Sequence, residues 1–181
     1  MNIIVCGSTG TGKSTAIRRL LQCCAEPIYG FWTEKLAPDF DGRAPVYIHG
    51  CREPLSYASE RRIGLCANRH AVGYAEVFDA CGVSFLQNIP SGALVLMDEL
   101  GVMENRAEAF QKQVFSVLSG DYRVLAAVRD RSTALLDAVR AHPASLCVSA
   151  AEANTPEFLT RALQELKPHR PSGLLWNNST A

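Results

Sequence analysis

The sequence lacks an unbroken apolar run anywhere near the roughly 20 residues that a membrane-spanning helix needs, so no membrane partner is expected. It also lacks a net charge: 18 Lys and Arg balance 18 Asp and Glu, and the pI is about 6.9. Without a global field of either sign, no nucleic-acid partner is evident. No C-x-x-C spacing occurs, and the cysteine count of seven is odd, with Cys23 and Cys24 adjacent. A disulfide framework does not fit that pattern. A zinc set of Cys51, Cys66, His70 and Cys81 can be drawn, but its spacings match no ligand pattern. Internal repeats and linker-like stretches are absent too. With 181 residues, 48% hydrophobic and 20% charged, the chain suits one domain with a sizeable core. A loop of functional character begins at residue 7, which leaves no room for a signal peptide, so the cytoplasm is the expected location.

What is present is concentrated near the start. Gly7-Ser8-Thr9-Gly10-Thr11-Gly12-Lys13-Ser14, followed by Thr15, matches the phosphate-loop pattern of two glycines with four residues between them, then Lys, then Ser or Thr. Glycines let the backbone adopt positive φ and approach a ligand without a Cβ in the way. The loop amides then face an anion at a helix N-terminus, where the dipole favours negative charge. Lys13 supplies a point charge for the β- and γ-phosphates, and the Ser14 hydroxyl is a hard oxygen suited to Mg²⁺. A glycine-rich turn with an incidental lysine is the competing structural reading. Context argues against it: Asn2-Ile3-Ile4-Val5-Cys6 reads as a strand buried on both faces, and Ala16, Ile17, Leu20, Leu21 and Cys24 recur at helical spacing.

The second informative stretch is Ala93-Leu94-Val95-Leu96-Met97-Asp98-Glu99, an apolar strand ending in two carboxylates. Ligands of parallel α/β sheets bind at the carboxyl ends of strands, which predicts both acids beside the glycine loop. Asp98 suits the Mg²⁺ shell, and Glu99 suits orienting and activating an attacking water. Two acids that merely cap the next helix are the structural alternative.

Between these stretches, Ile28–Lys35 and Pro45–His49 read as strands joined by the turn signal Asp41-Gly42, an antiparallel hairpin at one sheet edge. From Cys51 to His70 the pattern weakens and Arg52, Arg61, Arg62 and Arg69 gather, either on a solvated loop or in a lid facing phosphate. Val72–Phe78 suggests a short strand and Gly82–Ile89 a helix ended by Pro90-Ser91-Gly92. Further on come a helix over Asn105–Leu118, a buried strand Arg123–Val128 and a helix capped by Ser132. A short strand Leu146–Val148 precedes a last helix, capped by Asn154 or Thr155 and carrying Pro156 near its start. Residues 167–181 read as a mobile tail beyond a single domain of residues 1–166. Alternating strands and helices predict a three-layer α/β sandwich with a mostly parallel sheet.

Four segments together resemble a known family: Gly7 to Ser14, Gly30-Phe31-Trp32-Thr33-Glu34, Val72-Gly73-Tyr74 and Asp98-Glu99-Leu100-Gly101-Val102-Met103-Glu104. They are similar to the small P-loop nucleoside-triphosphatases of the cancer-related or thermophile type. The likeness runs over roughly the first 150 residues. It implies a RecA-like fold and Mg²⁺-dependent hydrolysis of nucleoside triphosphates (ATP, GTP or others) to diphosphate and phosphate. It further implies Lys13 and Ser14 at phosphate and metal, Asp98 at the metal, Glu99 at the water, and Glu34 holding the hairpin near the site. The chain departs from the family at Val102, where Lys is usual, and at Glu152-Ala153-Asn154-Thr155, where the family's Asn-Arg pair is not evident. A nucleotide or small-molecule kinase, with the arginine segment as a lid over an acceptor, is the second reading. A nucleotide-responsive binding protein with slow turnover is the third.

Overall fold

The computed structural model describes residues 1–67 and 70–167. Arg69 and the expected tail from residue 168 onward lie outside the described residues. Strand β1 (Asn2–Gly7) leads through the glycine loop into α1 (Lys13–Gln22). Then come β2 (Ile28–Lys35), β3 (Arg43–Gly50), β4 (Arg62–Ala67) and β5 (His70–Gly73). A helical stretch follows, α2 (Ala75–Val77) and α3 (Val83–Phe85) joined by a π-turn over Phe78–Gly82. The second half alternates β6 (Leu94–Leu100), α4 (Glu108–Ser119), β7 (Arg123–Arg129), α5 (Ala134–Ala141) and β8 (Ser145–Ser149). It closes with α6 (Ala150–Ala153) and α7 (Pro156–Glu165).

All eight strands form one sheet in the order β5-β4-β3-β2-β6-β7-β1-β8. The five strands from β2 to β8 run parallel, and β3, β4 and β5 extend the sheet antiparallel from β2. Helices cover both faces, as an α/β sandwich requires to bury strands that are apolar on both sides. On one face α1 and α7 pack Ile17, Leu20, Phe158 and Ala162 against Ile3, Val5 and Leu96. On the other, Phe110 and Val114 of α4 meet Ile4, Phe31 and Met97. Phe110 sits between Phe31 and Phe78 at ring separations of 5.5 and 5.2 Å, an arrangement that adds about 0.5–1.5 kcal/mol per pair beyond burial. Among the described residues no helix is long and apolar enough to cross a membrane.

The sandwich is as expected, with four local corrections. The expected edge hairpin is internal, because β2 pairs with β6 and β4 and β5 form the edge. The stretch expected to weaken into a loop contains β4: Ile63 is buried, and Gly64 is required because a Cβ there would lie 2.3 Å from the Val72 carbonyl oxygen. The expected Val72–Phe78 strand stops at Gly73, and the helix expected over Gly82–Ile89 spans 75–85 instead. Packing overrides propensity there: a Cβ on Gly82 would stand 2.6 Å from the Phe110 ring, and the Asp79 carboxylate accepts the Phe110 N–H at 2.8 Å. Finally, Thr133 rather than Ser132 caps α5, accepting the Leu136 N–H at 3.2 Å; of the two caps expected for α7, Thr155 is the one used.

Candidate active site

Strand order explains what meets at the site. The Asp-Glu strand β6 is not beside β1; β7 lies between them. The carboxyl ends of β1, β7 and β6 therefore present the glycine loop, Arg129 and the two acids side by side. In a regular strand Asp98 and Glu99 would point to opposite faces. The register with β7 shifts between Asp98 and Leu100, so both carboxylates reach one cleft.

The loop closes around its own lysine. Gly10 and Gly12 hold φ of +79° and +94°, the left-handed region in which a Cβ is costly, and Gly12 stands directly before α1. Gly7 ends β1, Ser8, Thr9, Thr11 and Thr15 carry exposed side chains, and the Thr11 hydroxyl donates to the Ser8 carbonyl at 2.8 Å. Lys13 is only 5% exposed. Its ammonium donates to the carbonyls of Gly7 (2.8 Å) and Ser8 (2.9 Å) and pairs with Glu99 Oε1 at 2.8 Å. Glu99 Oε2 in turn accepts from Arg129 Nε at 3.0 Å, so one carboxylate bridges two cations. Beside it the Ser14 hydroxyl donates to Asp98 Oδ1 at 3.2 Å. Burial pushes the Asp98 carboxyl above the usual range, against the Ser14 hydrogen bond that lowers it. A hydroxyl and a carboxylate oxygen in contact are a donor set for a hard divalent cation.

Ser14, Asp98 and Glu99 line a cleft of about 180 Å³ with Thr9, Val102 and Glu104. The fold also brings Arg129 to this cleft. Arg52, Arg61 and Arg62 lie instead over the rings of Tyr29, Phe85 and Tyr74. Glu34 accepts the Tyr57 hydroxyl at 2.8 Å and tethers β2 to the chain beyond β3, while Thr33 and Lys35 face the cleft. Among the described residues no group of three or more His, Cys, Asp or Glu comes together as a metal cage.

Two further residues carry the site and were not assigned roles from the sequence. Glu104 is fully buried, and its carboxylate accepts the Gly101 N–H at 3.1–3.2 Å, fixing the turn that follows Glu99. Burial, opposed by those backbone hydrogen bonds, pushes this carboxyl up to about 7. Asn154 donates to the Gly12 carbonyl at 3.2 Å and to that of Ala150 at 2.7 Å, while its own carbonyl accepts from Arg19 at 3.4 Å. The fold thus ties Asn154 both to the loop and to Arg19 of α1, 135 residues away in sequence.

The Glu104 carboxyl has a consequence for stability. Because its folded value is raised, the protonated form is favoured by folding. Its contribution is complete below the ordinary carboxyl range and is lost as pH rises through about 7. The loss is on the order of 3 kcal/mol. Glu104→Gln, which stays neutral, is therefore expected to flatten the fall in thermal midpoint between pH 5 and pH 8. Equal slopes in parent and variant melts count against a strained Glu104 carboxylate.

Known proteins resemble this chain in sequence and in fold. A family model described as NTPase matches residues 2–162. The nucleoside-triphosphatase THEP1 of Thermotoga petrophila is 23% identical over 173 residues, covering 94% of this chain and 95% of the relative. The protein of the same name from Metallosphaera sedula is 28% identical over 131 residues, 71% of each. Among solved structures, THEP1 from Aquifex aeolicus has a TM-score of 0.64 at 19% identity, over 94% of this chain and 100% of that one. A human cancer-related nucleoside triphosphatase has a TM-score of 0.58 at 20% identity, over 91% and 94% of the two chains.

Proposed function

The chain belongs to the NTPase family, and from that premise we propose Mg²⁺-dependent hydrolysis of nucleoside triphosphates to the diphosphate and phosphate, in the cleft between the glycine loop and Asp98-Glu99. The observation that carries this reading is the junction of Lys13, Glu99 and Arg129, with Asp98 in contact with Ser14 alongside. Ser14 and Asp98 would hold Mg²⁺, which supplies positive charge to the β- and γ-oxygens when bound. The amides of Gly7 to Thr15 cradle the phosphates. The incoming phosphate oxygens replace Glu99 as the partner of the Lys13 ammonium, and the released carboxylate orients a water towards the γ-phosphorus. As the water oxygen bonds to phosphorus, Glu99 accepts its proton and the bridging oxygen leaves with the diphosphate. Lys13 and Arg129 stabilise the charge that spreads over the phosphoryl oxygens.

The domain that does this is residues 1–166, and its location is the cytoplasm. Seven free cysteines support a reducing compartment. Phosphate release from ATP, GTP, CTP and UTP, with and without a chelator and with and without small hydroxyl acceptors, tests the reading. Release without acceptor that stops on chelation is expected. Transfer only in the presence of an acceptor identifies a kinase, and tight binding without release identifies a binding protein.

Val102 offers a finer test. It lines the cleft three residues beyond Glu99, where the family resemblance implies Lys. A lysine there would add a further ammonium to those of Lys13 and Lys35 at a water-poor site. Val102→Lys is expected to raise the maximal rate more than it changes affinity. A flat or lower rate in a normally folded variant removes Val102 as a limit on the rate.

A further inference from the structure

Glu99 takes up two cations, Lys13 at 2.8 Å and Arg129 at 3.0 Å. A third cation faces the same cleft without such a partner. Lys35, the last residue of β2, lines it together with Thr33, two residues earlier on the same face of the strand. Among the described residues no Asp or Glu pairs with Lys35. The other acids of the cleft are engaged elsewhere: Asp98 accepts from the Ser14 hydroxyl, and Glu104 from the Gly101 N–H. We propose that Lys35 binds the terminal phosphate of a triphosphate and so sets a preference for triphosphate over diphosphate. The inference rests on the hydrolytic reading for its direction, in which the γ-phosphate is the one that lies at Glu99.

Phosphoryl transfer spreads charge over the three equatorial oxygens of the γ-phosphate. Lys13 must part from Glu99 to meet those oxygens, and Arg129 has the same carboxylate to share. Lys35 has no ion pair to break. Its ammonium is a compact point charge on a flexible four-carbon stem, which suits a phosphate oxygen without demanding bidentate geometry. The stem starts from a fixed place. Lys35 stands opposite Val46 across the hairpin, and the next N–H, that of Leu36, donates to the Pro45 carbonyl at 3.0 Å. Val102 and Met103 line the cleft as well and bring no charge to it. Beyond them the space continues: Thr9, Lys35, Cys66 and Arg129 also line an adjoining cavity of about 300 Å³. Lys35 therefore stands where the cleft widens, with room for its ammonium to swing onto a phosphate oxygen. A lysine that is merely solvated would treat triphosphate and diphosphate alike.

The experiment is calorimetric titration of the full chain in the presence of Mg²⁺, with the non-hydrolysable imido analogue of ATP in one arm and ADP in the other. In Lys35→Met, affinity for the triphosphate analogue is expected to fall about tenfold, while affinity for ADP stays at the parent value. Lys35→Arg, which keeps a cation at the position, is expected to retain most of the preference for triphosphate. Equal loss for both ligands, or loss for neither, overturns the proposal. Identical behaviour of Lys35→Met and Lys35→Arg assigns the effect to shape rather than charge and overturns it too. Thermal midpoints matching the parent show that the hairpin is intact, and a lowered midpoint in Lys35→Met passes the test to Lys35→Gln. These titrations need no turnover. A parent that releases no phosphate, with the preference lost in Lys35→Met, would sink the hydrolytic reading and leave the Lys35 contact standing. A parent that hydrolyses, with the preference unchanged in Lys35→Met, would do the reverse.

Discussion

Glu99→Gln is expected to lower turnover by about 10²–10⁴-fold, the usual contribution of a general base, without weakening triphosphate binding. The substitution preserves size and one hydrogen-bonding oxygen but removes the carboxylate that takes the proton. Its effect on affinity follows from the two ion pairs of Glu99, with Lys13 at 2.8 Å and Arg129 at 3.0 Å. A phosphate must displace that anion before it can reach the ammonium. A neutral glutamine competes less and leaves two cations less compensated, so affinity for a non-hydrolysable triphosphate is expected to hold or to rise. Calorimetric titration and steady-state phosphate release, made on the same preparation, separate the two effects. Turnover within a few-fold of the parent would move the base elsewhere and leave Glu99 as a structural bridge. A large loss of affinity would mean that the carboxylate supports binding, contrary to the displacement step.

Lys13→Ala is expected to have its largest effect on binding. Each hydrogen bond to a charged group contributes about 1.5–3 kcal/mol, so losing the ammonium is expected to weaken triphosphate affinity by at least about tenfold. The same ammonium ties the Gly7 and Ser8 carbonyls, so part of the loss could be a change of loop shape. Lys13→Met keeps the aliphatic stem and removes the charge and donors, so comparing the two variants separates loss of side-chain packing from loss of the ammonium with its ties to the loop and to phosphate. Equal loss in both variants, at unchanged thermal midpoint, assigns the effect to the ammonium. Unchanged affinity in both would show that the loop is not the phosphate site.

The sequence by itself determined the parts of this site that are contiguous in the chain. β1, the glycine loop and the start of α1 were legible because one run of residues carries the apolar strand, the positive-φ glycines and the helical period together. The Asp98-Glu99 pair was legible for the same reason, as the end of an apolar strand. The family likeness and the α/β sandwich followed from such local signals. Tertiary structure alone decided which distant groups join them. Arg129 reaches Glu99 because β7 inserts between β1 and β6, an order that no periodicity records. Asn154 meets Gly12 because α6 and α7 fold back against α1, although its sequence position suggested a helix cap. β4 was hidden by a glycine needed for close approach to Val72, and the 75–85 helix was misread because Phe110, 28 residues beyond Gly82, fills the space over it. Local propensity is carried by neighbouring residues, whereas strand order, register shifts and layer contacts depend on burial across the whole sheet. The junction of Lys13, Glu99 and Arg129 depends on that second kind of information.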